Sequence, residues 1–153
     1  MTADLVMEGE ESYLMAHEEL EVVRTTMRDF RASNGFPKFA TDLLTDFHSV
    51  MGTMFSIVNS TGYNFQDLPT LETLYKKASK AWSTVEKNPV EQMLWGLSDQ
   101  KVIAYDYAVT AERLVLDTLE AALALGDLAT IKAAVFALKP SQAQAYLILG
   151  GVL

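Results

Sequence analysis

Few residues in this 153-residue chain have the chemistry for a reactive site. It contains two histidines, His17 and His48, no cysteine, and 20 acidic residues against 12 basic ones. Lacking Cys, the sequence has no basis for disulfides, thiol catalysis, iron–sulfur clusters or thiolate zinc sites. Histidine combined with carboxylates leaves one sharp possibility, a carboxylate-bridged di-iron or di-manganese centre. Such a centre takes a Glu from each of two helices and a Glu-x-x-His from each of two others, because residues three apart share a helix face. Leu14 stands three residues before His17 and Thr45 three before His48, so neither histidine has its Glu. A degenerate di-metal site would have to draw on Glu21, His48 and Glu112, with His17 or Asp46 beside them. The competing reading makes both histidines boundary residues, hydrogen-bonded or solvated, with His17 and Glu21 flanking an apolar stripe and His48 between Leu44 and Met51. No metal or cofactor is assigned on this pattern.

Glu112 needs separate weighing. It falls on a line with Tyr105, Val109, Leu116 and Leu119, an apolar helix face. A carboxyl in such a setting holds its proton more tightly and can serve as a general acid. Without a partner it reads more simply as one end of an interhelical bond to Arg24, Arg28 or Tyr105. The serines have no histidine at a useful spacing and no Gly-x-Ser-x-Gly elbow. No glycine-rich loop opens a helix in a way that would cradle phosphate. Lys76, Lys77 and Lys80 form the single basic cluster, on what reads as a solvated face. The 7 Met fall mostly at core spacing.

The elements that must position these residues are helical. Tyr13, Ala16, Leu20, Val23, Met27 and Phe30 step by three and four and mark a first helix, stopped at Ser33-Asn34-Gly35. Pro37 reads as the first turn of a second helix, whose broad apolar face runs from Phe36 through Leu43, Leu44, Phe47, Met51 and Met54 to Val58. After Asn59-Ser60-Thr61-Gly62 and a crossing loop, Thr70 reads as the cap of a third helix carrying Leu71, Leu74/Tyr75, Ala78, Ala81/Trp82 and Val85. Asn88-Pro89-Val90-Glu91 signals the start of a fourth, with a possible break at Gly96-Leu97-Ser98. That helix shows two apolar faces: Ile103, Tyr107, Ala111, Leu114, Ala121 and Leu125 form one, and the Glu112 line forms the other. Gly126-Asp127 should close it and cap a short helix, Leu128 to Leu138, with Pro140-Ser141 opening a last turn or two. No segment alternates as a strand does, and no internal repeat is visible. The expectation is an all-α chain, a single domain over 1–153. Its architecture should be an up-and-down four-helix bundle with short extra helices at the C-terminal end.

Half of the residues are hydrophobic and 21% are charged, which excludes disordered and low-complexity classes. The net charge of −8 gives no basic footprint for phosphate contacts, so direct nucleic-acid binding is not expected. The acidic first twenty residues are unlike a signal peptide, and Pro140 to Leu153 is too short to span a bilayer. A cytoplasmic protein with no membrane partner is expected.

The stretch Phe39-Ala40-Thr41-Asp42-Leu43-Leu44-Thr45-Asp46-Phe47-His48, followed by Gly62-Tyr63 and Leu68-Pro69, resembles the small bacterial ferritin-like bundles of unknown function, some of them stress-associated. The second half continues the likeness more loosely, through Leu138-Lys139-Pro140. Phe47 splits the Asp-His element, and Gln144 stands where that family tends to place a histidine. The resemblance therefore implies the ferritin-like fold and carries no metal centre with it. The function expected is non-enzymatic, exercised through contacts with a protein partner or with further copies of the chain, with the faces at Tyr105/Val109/Leu116 and at Tyr146/Leu147/Leu149 as the expected surfaces. Two alternatives stand beside it: the degenerate di-metal oxidase or metal-binding protein using Glu21, His48 and Glu112, and an acidic decoy or inhibitor of a basic partner. No feature of the sequence identifies a small-molecule ligand.

Overall fold

The structure is a computed structural model, and it describes residues 15, 19, 22, 23, 25–88, 90 and 96–149. Among them there are helices and turns and no strand. The chain separates into two compact units, one reaching to Phe39 and one covering Ala40–Gly151.

In the first unit, residues 25–33 are helical. The stop is the one that Ser33-Asn34-Gly35 predicts. Gly35 adopts φ 70°, a left-handed conformation open to glycine at little cost. The Phe36 amide reaches back to the Arg31 carbonyl at 2.9 Å, and Gly35 to Ala32 at 3.3 Å. This is the Schellman pattern, and its usual apolar contact is supplied by the stacked rings of Phe30 and Phe36. Arg31 lies over the Phe39 ring at 4.2 Å.

The second unit holds four α-helices: α1 (Ala40–Val58), α2 (Leu68–Lys87), α3 (Asp99–Leu125) and α4 (Leu128–Ile148). They pack in a cycle, α1 on α2, α2 on α3, α3 on α4, and α4 back on α1. Helix α1 begins at Ala40 rather than at Pro37. Phe36, placed before a proline and held by the Schellman bond, is disfavoured from helical geometry. Helix α2 begins at Leu68, two residues ahead of the expected Thr70 cap. Pro69 sits in its first turn, where a missing N–H costs nothing. The chain enters through a 3₁₀ turn, Phe65–Asp67, closed by a reciprocal capping box between Asn64 and Asp67.

The break near Gly96-Leu97-Ser98 is real. Gly96 has φ 60°, and the Ser98 hydroxyl caps α3 by accepting the Lys101 amide. The expected start at Asn88-Pro89-Val90-Glu91 falls largely outside the described residues. Gly126, at φ 69°, ends α3, and Asp127 caps α4 through the Thr130 amide at 3.0 Å. Helix α4 then runs unbroken to Ile148 with Pro140 inside it, not as a short helix and a separate turn. Proline removes one donor, but Pro140 and Phe136, whose carbonyl would have received that donor, are both exposed.

The core is built as the stripes on α1 and α2 require: Leu43, Leu44, Phe47, Met51, Met54 and Val58 from the first, with Leu71, Tyr75, Ala78, Trp82 and Val85 from the second. Phe47 meets Trp82 at 4.7 Å between ring centroids, and the Trp82 indole N–H donates to the Val109 carbonyl at 3.0 Å. One side chain of α2 thus ties α1 to α3.

Candidate functional site

The polar candidates settle first. His48 is exposed on α1, and Glu112 is fully buried on α3. Glu21 and His17 lie outside the described residues, as does Arg24. Among the described residues no three His, Asp or Glu side chains come together as metal ligands would.

Glu112 faces α4. Its Oε2 accepts a hydrogen bond from the Ser141 hydroxyl, and the Gln142 backbone N–H also bears on the carboxyl. Oε1 has no hydrogen-bond partner. Burial pushes the carboxyl up to about 8, with Ser141 and Gln142 pulling weakly the other way. Of the partners expected from the sequence, Arg24 lies outside the described residues, the Tyr105 hydroxyl is itself buried without a partner, and Arg28 pairs with Asp29 next to it. Ser141 carried no signal as a partner, since nothing local connects it to a residue 29 positions earlier. The Tyr105 phenol, desolvated and close to Asp106, is pushed up to about 12 and stays neutral.

The described polar cluster with the most bonds was not foreseen. Arg113 of α3 grips both oxygens of Glu86 on α2 at 2.8 Å and also donates to the Ser79 and Ser83 hydroxyls at 3.0 Å. A forked guanidinium meeting a carboxylate in two bonds is a strong structural tie. It lies between α2 and α3 with every acceptor supplied by the protein.

The surface left over is apolar, and it reverses the reading of α3. At 100° per residue, the Glu112 line and the Ile103 line lie on opposite sides of the helix. The line Tyr105, Val109, Glu112, Leu116 and Leu119 is the one packed in the core. The line that reads most plainly as a packing face points outward, with Ile103 54%, Tyr107 73%, Leu114 63% and Leu125 79% exposed. Thr110, Ala111, Thr118 and Ala121 lie between them, all exposed. The Thr118 hydroxyl is turned back onto the Leu114 carbonyl at 2.8 Å, which leaves its methyl outward. The two faces expected to make outside contacts are core instead: Tyr105, Val109 and Leu116 are buried, as are Tyr146 and Leu149, and Leu147 alone is exposed.

This outward stripe covers 23 residues, Ile103 to Leu125, roughly 33 Å along the axis. A helix apolar on both sides is ordinarily covered on both sides. Exposed apolar patches of this extent mark surfaces of association in soluble chains. No helix among the described residues is long and apolar enough to cross a membrane. Comparison with protein-family models, with curated proteins and with solved structures gave no match.

Proposed function

We propose that the chain is an up-and-down four-helix bundle of the ferritin-like kind that works without catalysis, by packing the outward face of α3 against a helix of another protein chain. One observation carries the reading: Ile103, Tyr107, Leu114 and Leu125 stand exposed in line along the back of a helix whose opposite face is core. Burying apolar side chains of this size is worth about 1.5–3 kcal/mol each relative to leaving them in water. An amphipathic partner helix is the simplest shape to collect that energy from a straight stripe. The di-metal reading draws no support from the described residues, because His48 is exposed and Glu112 is engaged by Ser141.

The test places a photo-reactive amino acid at position 114 in cells expressing the full chain. The expected outcome is one or a few discrete crosslinked protein products, lost when Tyr107 and Leu125 are both changed to Glu. Crosslinking no greater than that from the same group at Lys80, an exposed position on α2, would overturn the reading.

A further inference from the structure

Resting on that reading, we infer that the chain occupying the α3 stripe is a second copy of this protein, packed antiparallel about a two-fold axis through Leu114. Ile103 and Leu125 each lie eleven residues from Leu114, and eleven residues make almost a whole number of helical turns. The three therefore stay in line, and the seam needs little supercoiling. Reversing positions 103, 107, 110, 114, 118, 121 and 125 about Leu114 superimposes them on themselves, and Ala111 alone falls at the level of Asp117. In the pair, Ile103 of each copy meets Leu125 of the other, Tyr107 meets Ala121, and Leu114 meets its own counterpart. Tyr107, the largest side chain on the stripe, thus falls opposite one of the smallest. A self-complementary patch of this kind is what a two-fold interface requires.

The area sets the strength. Four large side chains and the small ones between them give each copy roughly 500 Å² to bury, so a pair reaches about 1,000 Å², the lower end for a specific interface. The dimer is therefore in rapid exchange with monomer. Charge sets the salt dependence. Asp106 and Asp117 lie exposed along one edge of the stripe, and the two-fold brings that edge against its own copy. Each chain also carries a net charge of −8. Raising the ionic strength screens both repulsions and tightens the dimer, whereas a basic partner would be loosened.

The natural absence of cysteine allows a direct test. Leu114→Cys as the sole cysteine should form a disulfide-linked dimer under mild oxidation, and Thr118→Cys, which the two-fold sets two turns from its counterpart, should not. In sedimentation velocity the wild-type chain should dimerise more tightly at 0.5 M salt than at 0.05 M, and Leu114→Glu should weaken dimerisation about tenfold or more. Equal disulfide yields at 114 and 118, a monomer at every concentration, or association that salt weakens would each overturn the inference. If position 114 still photo-crosslinks to a different chain in cells, only the identity of the occupant fails. If it crosslinks to nothing, the proposed function fails with it.

Discussion

Burial holds the Glu112 carboxyl protonated up to about pH 8, against 4.5 for the same group in the open. Below pH 4.5 both the folded and the unfolded chain carry this proton, and the residue imposes no pH dependence. From 4.5 to 8 the unfolded chain ionises and the folded one does not. The contribution of Glu112 to stability is thus fully present in acid and is lost as pH rises through that window, by up to about 1.4 kcal/mol per pH unit. Above pH 8 the loss levels off. Glu112→Gln keeps the shape and removes the titration. Denaturant unfolding of the two proteins at pH 5, 7 and 9 should show wild type losing stability relative to the variant as pH increases. A difference independent of pH would place the carboxyl in contact with water. Its local sequence reveals an acid on an apolar line and nothing more; the depth of burial comes from α4, and the partner from Ser141.

At the scale of the helix, the two sides of α3 make opposite predictions for the same substitution. Leu116 is fully buried and Leu114 is 63% exposed. Leu116→Glu should cost more than about 4 kcal/mol, because it buries a carboxyl that has no partner in the core. Leu114→Glu should leave the stability of the monomer within about 0.5 kcal/mol of wild type. Thermal unfolding under dilute, low-salt conditions reads both. Equal losses would mean that α3 is covered on both sides within one chain. This is also where the sequence ran out. Helices α1 and α2 each have one apolar face, so the period of 3.6 identified their buried residues from Leu43 to Val85; Phe36, read as the start of that α1 face, lies ahead of the helix and is exposed. On α3 two faces satisfy that period. Only neighbours far along the chain choose between them: the Trp82 indole on the Val109 carbonyl and Ser141 on Glu112. The same limit explains Pro140, which reads locally as the start of a new element. A proline whose unmatched carbonyl belongs to an exposed residue can sit inside a helix, and exposure is a tertiary property. Arg113 was invisible for the same reason, since its acceptors come from 27 to 34 residues away.

For the molecule as a whole, the proposed pairing sets net charge against the apolar stripe of α3. A charge of −8 on each chain opposes the approach of copies at a distance, and in the proposed dimer the stripe would act at contact. Association on that proposal would depend on concentration and salt. The fully buried Glu112 adds a consequence of a different kind, a stoichiometric one. At pH 7 the unfolded chain releases this carboxyl proton and the folded chain keeps it, so the packing of α3 on α4 takes up most of a proton at this one site. Glu112→Gln folds without that uptake. Calorimetric unfolding in two buffers of different ionisation enthalpy should therefore give a buffer-dependent heat that shrinks in the variant by the share of one site. At Glu112, folding at neutral pH is a proton-binding reaction.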